Sequence, residues 1–162
     1  MKCLCFSDSH GSTLAMYKAL SIHKDAEVIF FLGDGLSDFE MFIRDKTRAW
    51  LAVRGNCDRE FTLGDATVTK TDSINIEGRR IVFTHGDLYG VKYGLDGITK
   101  LAYDTNADIV LFGHTHQPLE KYISTDSGGF YLFNPGSAGG FSPTYGVINI
   151  TEQGVLLSHG RL

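Results

Sequence analysis

Five short polar clusters, each placed directly after a hydrophobic run, contain the residues of this chain that could do chemistry. The sequence predicts that each cluster lies where a β-strand ends. In an open α/β sheet the carboxyl ends of the strands share one edge, and ligands bind there. Seven side chains from these clusters are therefore candidate metal ligands: Asp8, His10, Asp34, Asn56, His85, His114 and His116.

The candidate ligands combine imidazole, carboxylate and amide oxygen donors and require no thiolate, which suits Mn, Fe, Co, Ni or Zn. Seven ligands are too many for one tetrahedral ion and about right for two ions that share a carboxylate. Asp34 is the candidate bridge, because its two oxygens can bind different ions and Gly33 allows a tight turn before it. Asn56 offers a neutral, weak ligand, and Asp58 is a candidate for orienting a ligand from behind.

Each cluster taken alone also has an ordinary structural explanation. Asp8-Ser9-His10 fits a helix-capping turn, and Asp34 and Asn56 fit simple turns. The most specific cluster is Gly113-His114-Thr115-His116-Gln117-Pro118, which places two imidazoles on an irregular loop after a buried strand. Because five such coincidences at strand ends are improbable, the joint pattern favours a metal site.

The elements that must position these clusters alternate between strand and helix over the first half of the chain. Apolar periodicity predicts strands at 1–7, 28–32 and 49–54 and helices at 12–22 and 36–46. The pattern then changes to a hairpin of strands 67–77 and 79–84, a helix at about 90–105 and a buried strand at 109–112. Two further hairpins are predicted, with turns near 126–129 and 152–154. So many strands would overfill one sheet, so we expect one domain with two sheets between helix layers.

Composition limits the function classes. The 162 residues are 43% hydrophobic and 21% charged with a formal charge of -4, which is an ordinary globular balance. The acidic charge disfavours a nucleic-acid binder, since Lys and Arg supply most phosphate-backbone affinity. No run reaches the length of a membrane span, and three cysteines offer no disulfide framework. These features predict a cytoplasmic protein. His23 and His159 lack evident partners in the sequence, so we expect them to be solvated.

In their order along the chain, the clusters resemble the motifs of the calcineurin-like metallophosphoesterase superfamily. The matching segments are Asp8-Ser9-His10, Gly33-Asp34, Gly55-Asn56-Cys57-Asp58, Thr84-His85 and Gly113-His114-Thr115-His116. With Asn134-Pro135-Gly136-Ser137, the short chain is similar to the compact bacterial and archaeal phosphodiesterase branch, which includes the eukaryotic retromer scaffold subunit as a divergent relative. The resemblance spans residue 3 to about 150. It implies an α/β fold, a four-layer α/β/β/α sandwich of two mixed sheets flanked by helices, as a single metallophosphoesterase domain over 1–162.

The resemblance also implies a ligand set. Asp8, His10, Asp34 and His116 would hold the first metal, Asp34 would bridge, and Asn56, His85 and His114 would complete the second. Two positions depart from the family pattern. Cys57 stands where enzymes of the protein-phosphatase type carry a His that assists the leaving group, and Asp87 stands where many relatives have a second His. Leaving-group protonation and substrate range therefore stay open.

The resulting hypothesis is a metal-dependent phosphodiesterase with two divalent ions, Mn first among them and Ni, Fe, Co and Zn as alternatives. The ions would lower the pKa of a bridging water, and the hydroxide would attack phosphorus in line with the leaving oxygen. Asp34 and Asn56 are the candidate catalytic residues, for bridging the metals and positioning the phosphate, with Cys57 and Asp58 behind the ligands. Without a His acid, good leaving groups are favoured unless the Cys57 thiol or a metal-bound water donates the proton.

The expected substrate is a small-molecule phosphoester. A diester is favoured, because the sequence shows no second basic group for a dianion. The alternative is a scaffold or adaptor that uses the same fold to bind proteins with little or no turnover. A nuclease is disfavoured by the acidic charge. The physiological substrate, the metal in the cell and the oligomeric state are left open by the sequence.

Overall fold

A computed structural model describes residues 1–126 and 128–162 of the chain, which fold into two five-stranded mixed β-sheets packed between helices. The helices are α1 Leu14–Ile22, α2 Leu36–Phe39 and α3 Asp96–Thr105. The strands are β1 Lys2–Phe6, β2 Val28–Phe31, β3 Ala49–Ala52, β4 Thr62–Leu63, β5 Ala66–Thr67, β6 Thr71–Ile76, β7 Arg79–Thr84, β8 Ile109–Leu111, β9 Leu119–Thr125, β10 Gly128–Asn134, β11 Thr144–Thr151 and β12 Gly154–Arg161.

Each of the two sheets contains three adjacent strands that run parallel to one another. The first sheet has the order β12-β11-β1-β2-β3, in which β1, β2 and β3 run parallel. The second has the order β6-β7-β8-β10-β9, in which β7, β8 and β10 run parallel. Strands β4 and β5 form a small separate ribbon. The loops after the parallel strands contain all five polar clusters.

The two sheets and the helices form four layers, because alternate residues of each strand point to opposite faces. In β1, Cys3 and Cys5 face the second sheet, whereas Leu4 and Phe6 face α1 and α2. The outer face of the second sheet packs against α3. The space between the sheets is filled by Cys3, Cys5, Val28, Phe30, Ile81, Phe83, Ile109, Leu111 and Phe133. The predicted α/β/β/α sandwich is confirmed.

The second helix is shorter than the predicted 36–46. It ends at Phe39, and the chain continues in turns whose hydrogen bonds reach back three residues, from Phe42 N to Phe39 O and from Asp45 N to Phe42 O. Phe42 and Ile43 still pack against the core on this side of the sheet. The helical spacing of apolar residues therefore indicated the buried face correctly, although not the helix length.

The third helix begins at Asp96 and not near residue 90. A 3-10 turn covers Asp87–Tyr89 and ends at Gly90, whose φ of 63° is left-handed. A left-handed glycine ends a helical segment, so the predicted helix 90–105 was too long at its start.

The hairpin at Glu77-Gly78 has positive φ at both central residues, 48° and 74°, as a type I′ turn requires. Its first strand begins at Thr71, because Thr67 pairs within the small ribbon. The hairpin near 152–154 joins β11 to β12. The turn expected near 126–129 includes Ser127, which lies outside the described residues. Among the helices described, none is both long and apolar enough to cross a membrane.

Candidate metal centre

The loops that follow the parallel strands are hydrogen-bonded to one another at one edge of the sandwich. Asp8 N donates to Gly33 O at 2.9 Å, which joins the loops after β1 and β2. Gly113 N donates to His85 O at 2.9 Å, which joins the loops after β8 and β7. The seven predicted ligands therefore lie together although they are up to 108 residues apart in sequence, from Asp8 to His116.

The first donor cluster consists of Asp8, His10 and His116. Asp8 Oδ1 lies 3.1 Å from His116 Nε2 and 3.8 Å from His10 Nε2, and the two Nε2 atoms are 3.3 Å apart. The other oxygen, Asp8 Oδ2, accepts hydrogen bonds from Ser7 Oγ at 2.5 Å and from His114 N at 3.0 Å. The carboxylate is thereby held with one oxygen directed at the imidazoles.

Asp8 Oδ1 is the atom that tests whether a cation fits this cluster. The Asp8 side chain is fully buried, and Oδ1, although 3.1 Å from His116 Nε2, accepts no hydrogen bond of good geometry among the described residues. A buried carboxylate oxygen without a partner is unfavourable unless a cation neutralises it. Two imidazole nitrogens and one carboxylate oxygen within 4.8 Å of one another are suitable donors for a transition-metal ion.

The second donor cluster consists of Asp34, His85 and His114, with Asn56 beside them. His85 Nε2 lies 3.1 Å from Asn56 Oδ1, 3.1 Å from His114 Nδ1 and 3.4 Å from Asp34 Oδ2. The other ring nitrogen, His85 Nδ1, donates to Leu32 O at 2.8 Å. That backbone bond fixes the ring and leaves the Nε2 lone pair for a ligand role.

Asp34, a member of the second cluster, also lies beside His10 of the first. Its carboxylate is within 4.8 Å of His10 and Cys57 on one side and of His85 and His114 on the other. Asp34 Oδ1 also accepts a hydrogen bond from Cys57 N at 2.8 Å. This position, between the two sets of donors, is the one that a bridging carboxylate requires.

The pKa values of Asp34, His85 and His114 reflect the same neighbours. Burial would raise the pKa of Asp34, but hydrogen bonds from His85 and from the Cys57 backbone hold it well below its usual range. Burial lowers the pKa of His85, yet the bond to Asp34 and the nearby charge of Asp8 raise it overall. Burial and the charge of His85 lower the pKa of His114. These opposite shifts favour an ion pair between Asp34 and His85, whose Oδ2 and Nε2 atoms are 3.4 Å apart.

The pKa of the Cys57 thiol is raised. Its hydrogen bond to Asp34 is the main cause, and partial burial and the charges of Asp34, Asp58 and Asp8 add to it. The same negative field favours the binding of cations at this edge.

Backbone strain is concentrated at the candidate ligands. Seven described residues other than glycine have positive φ. Two of them, Glu77 and Asn106, occupy a hairpin turn and a helix end, where positive φ is usual. The other five are candidate ligands: Asp8 (55°), His10 (47°), Asp34 (57°), His114 (67°) and His116 (60°). Such conformations cost of order 1–3 kcal/mol each and persist where surrounding structure enforces them, typically at functional sites.

Asp58 ties the loops after β2 and β3 together. Its Oδ2 accepts from Asp34 N at 2.7 Å and Gly55 N at 2.9 Å. Its Oδ1 accepts from Gly35 N at 2.9 Å and Leu36 N at 3.0 Å, at the start of α2. Asp58 therefore contacts the backbone of the candidate bridge and orients it from behind.

Asn134 is a positioning residue that the sequence pattern only suggested. Its side chain is fully buried and donates to Gly113 O at 2.9 Å and Thr115 Oγ1 at 3.1 Å, while its Oδ1 accepts from Gly136 N at 2.9 Å. These bonds hold the loop that contains His114 and His116. The sequence singled out Asn134 only as part of a segment that resembles the family, and the contact with the His loop arises from the parallel pairing of β10 with β8.

Asp38 and Lys70 are residues that the sequence analysis missed. Asp38 Oδ2 accepts from Ser9 Oγ at 2.6 Å and Gly11 N at 2.8 Å, which steadies the loop after β1. Lys70 Nζ donates to Gly55 O at 3.2 Å and to Asp87 Oδ2 at 2.9 Å. Asp87, which stands where many relatives have a second His, is thus paired with Lys70. No local sequence signal linked the two positions.

The expectation that His23 and His159 are solvated without partners was wrong. His159 Nε2 donates to Asn134 O at 2.7 Å, and its ring stacks on Phe133 with centroids 4.6 Å apart. His23 Nε2 lies 3.0 Å from the Tyr145 hydroxyl. Both contacts join residues that are distant in sequence, so only the fold could reveal them.

Comparison with known proteins places this architecture in a family. The model of the calcineurin-like phosphoesterase superfamily domain matches residues 1–153. The probable metallophosphoesterase YsnB of Bacillus subtilis is 31% identical over 137 residues, which cover 85% of this chain and 75% of YsnB.

Two phosphodiesterases are also similar. Escherichia coli phosphodiesterase YfcE is 27% identical over 172 residues, covering 92% of this chain and 88% of YfcE. The YfcE structure superposes with a TM-score of 0.66 over 100% of this chain and 98% of YfcE, at 26% identity. An archaeal phosphodiesterase structure, 23% identical, has a TM-score of 0.78 over the whole of both chains and shares the fold.

Proposed function

This chain belongs to the calcineurin-like phosphoesterase superfamily, and on that premise we propose that it is a dimetal-dependent phosphodiesterase acting on a small-molecule phosphodiester. The observation that carries the proposal is the position of the buried Asp34, whose carboxylate lies within 4.8 Å of the exposed His10 on one side and of the buried His85 and half-buried His114 on the other. The similarity to YfcE, which is named a phosphodiesterase, supports the same reaction class. The proposal treats residues 1–162 as one metallophosphoesterase domain.

We assign one ion to Asp8, His10 and His116 and the other to Asn56, His85 and His114, with Asp34 bridging them. The unpartnered Asp8 Oδ1 supports the first assignment, and the nearly equal distances from His85 Nε2 to Asn56 and His114 support the second. Two divalent ions, when bound, supply a nucleophile at neutral pH and neutralise charge on the attacking and leaving oxygens.

The chain's own residues would hold this arrangement rigid and orient the phosphate. Asp58 and Asn134 fix the loops through their backbone bonds, so the ligands need little reorganisation when ions bind. Asn56 would present its amide to a phosphate oxygen at the solvent-exposed side of the site. The carboxylates of Asp8 and Asp34 are buried, whereas Asn56 is exposed, so Asn56 is the neutral polar group best placed for that role.

A diester is the better substrate class on charge grounds. Lys70 donates to Gly55 O in the loop that contains Asn56, and its ammonium group is paired with Asp87 at 2.9 Å. A cation already neutralised in this way adds little affinity for the second negative charge of a monoester. The monoanionic diester therefore fits the site better.

The metal and the location are parts of the same proposal. Mn is the first candidate, with Ni, Fe, Co and Zn as alternatives, because nitrogen and oxygen donors accept all of these ions and supply in the cell decides among them. The thiols of Cys3, Cys5 and Cys57 are free, and Cys57 is exposed. An exposed free thiol is favoured by a reducing compartment, which supports a cytoplasmic location.

The test combines elemental analysis with a chromogenic diester assay in added Mn, followed by a panel of diesters and monoesters with Mn-, Ni- and Zn-loaded protein. We expect about two ions per chain and faster turnover of diesters. Asp34→Asn should lose metal and activity, whereas the exposed control Asp65→Asn should retain both. Full metal content and undiminished activity in Asp34→Asn would show that the bridge assignment is wrong. Two bound ions without turnover would favour the scaffold alternative.

A further inference from the structure

We propose that Cys57 Sγ is an additional ligand of the ion assigned to Asp8, His10 and His116, and that it gives this position a preference for thiophilic divalent ions. The inference rests on the proposed metal centre but concerns a residue outside the seven-ligand set. It assigns Cys57 to the ion itself and not to the protonation of a leaving group.

The first support is distance. A nitrogen of His10, a carboxylate oxygen of Asp34 and Cys57 Sγ all lie within 4.8 Å of one another. The donor atoms of the other two clusters also lie within 4.8 Å of one another. His10 and Asp34 are both assigned to the first ion, so an ion in contact with them is within reach of the sulfur atom after a side-chain adjustment.

The second support is the way in which the loop holds Cys57. Its N–H donates to Asp34 Oδ1 at 2.8 Å, which ties its backbone to the candidate bridge. Asn56 Nδ2 donates to Cys57 Sγ at 3.3 Å, so the sulfur already acts as an acceptor. The amide of Asn56 thus directs its oxygen towards His85 and its nitrogen towards the sulfur.

The third support is the contrast with the other two cysteines. Cys3 and Cys5 are fully buried on β1 and pack between the sheets as small apolar residues. Cys57 is exposed and lies against the acidic edge. Its sulfur is therefore the thiol that a cation entering from solvent can reach.

The chemistry of the bond explains the expected selectivity. As the S–metal bond forms, the thiol proton leaves to solvent. A thiolate is a soft donor that favours Co, Zn or Cd over Mn, whereas imidazole and carboxylate donors discriminate among these ions less strongly. With Mn bound, Cys57 would stay a free thiol; with a thiophilic ion it would become a ligand.

Cobalt titration of the full chain tests the proposal without measuring activity. Visible d–d bands report that Co²⁺ binds, and a near-ultraviolet sulfur-to-cobalt charge-transfer band reports a thiolate ligand. We expect both in the wild-type protein and in the control Cys3→Ala, and only the d–d bands in Cys57→Ser. Because Cys57 is exposed, its replacement by Ser should leave the fold intact, which a circular dichroism spectrum verifies.

A competition experiment with a chelating dye gives the second readout. Cys57→Ser should bind Cd²⁺ at least ~10-fold more weakly than wild type and bind Mn²⁺ within ~2-fold of wild type. Equal losses for the two ions would overturn the proposal, as would a charge-transfer band that persists in Cys57→Ser. Visible bands without a charge-transfer band in the wild-type protein would also overturn it and leave the proposed function standing. No visible bands in the wild-type protein would refute the metal centre itself.

Discussion

The carboxylate of Asp58 offers the sharpest test of how the loops are held, because its four hydrogen bonds all go to backbone N–H groups. Replacing Asp58 by Asn exchanges one carboxylate oxygen for an NH₂ group, which would then face two N–H donors. One pair of bonds is lost, either those to Asp34 and Gly55 or those to Gly35 and Leu36.

The expected loss follows from those bonds. A hydrogen bond to a charged group contributes about 1.5–3 kcal/mol. The side chain is half-buried, so the lower value applies, and two lost bonds correspond to about 3 kcal/mol of the free energy of unfolding. With an m-value of about 2 kcal/mol/M, the urea midpoint should fall by about 1.5 M.

The assay is urea unfolding of the metal-free protein, beside Asp65→Asn as a control. That variant makes the same charge change at an exposed position and should stay within about 0.5 kcal/mol of wild type. Metal affinity of Asp58→Asn should also fall about 10- to 100-fold, because the backbone of Asp34 is no longer fixed. A midpoint within about 0.25 M of the Asp65→Asn control would refute the reasoning.

Three further perturbations test the site in other ways. Asp8→Asn removes a buried charge whose Oδ1 accepts no hydrogen bond, so without added metal the variant should be at least as stable as wild type in thermal unfolding. Metal at 100 times its Kd should stabilise the wild-type protein by ~2.7 kcal/mol and the variant by much less. Equal stabilisation of both proteins by metal would contradict the first ligand assignment. The raised pKa of His85 stabilises the metal-free fold below the unfolded-state pKa of His, and this contribution is lost as the pH rises through the higher folded-state pKa. Urea unfolding from pH 5 to 9 should therefore show a smaller decline in His85→Gln than in wild type, and identical slopes would argue against the Asp34–His85 ion pair. Asn134→Ala leaves the carbonyl of Gly113 and the N–H of Gly136 without their partner, so it should lower the free energy of unfolding by about 2–3 kcal/mol and weaken metal binding. The exposed control Asn75→Ala should change neither property. Unaltered metal binding in Asn134→Ala would show that Asn134 does not position the ligands.

Much of the fold could be predicted from local pattern. The apolar run before Asp34 indicated a strand at 28–32, and residues 28–31 form β2 with every residue buried. The hairpin predicted between residues 67–77 and 79–84 is present, with its turn at Glu77-Gly78. Helix ends were less well predicted, because Gly90 and the i−3 turns after Phe39 depend on how each segment packs against its sheet.

The candidate ligands were recognisable because their signal is also local: each follows a strand within a few residues, at a turn that favours polar side chains. Their convergence was inferred from a general rule about parallel strands, and the distances between His85, Asn56 and His114 follow that rule. What the rule could not supply was the strain. Positive φ at His10 and His116 is a property of the folded backbone that the positions of these residues after a strand do not reveal.

The groups that support the ligands were decided by tertiary structure alone. Lys70 meets Asp87 because β6 and β7 pair across a hairpin and bring the preceding loop to the site. Asn134 reaches Gly113 because β10 lies parallel to β8, and His159 reaches Asn134 O across the space between the two sheets.

The amino-acid sequence thus determined which donors exist, in which order they occur and which strand each of them follows, since these features depend on residue type and on short-range periodicity. Tertiary structure decided which oxygen of Asp8 is left without a partner, which backbone groups Asp58 binds and which sulfur lies beside His10. The physical reason is that hydrogen-bond geometry and burial are properties of pairs of groups, and in this fold the members of each decisive pair come from different loops.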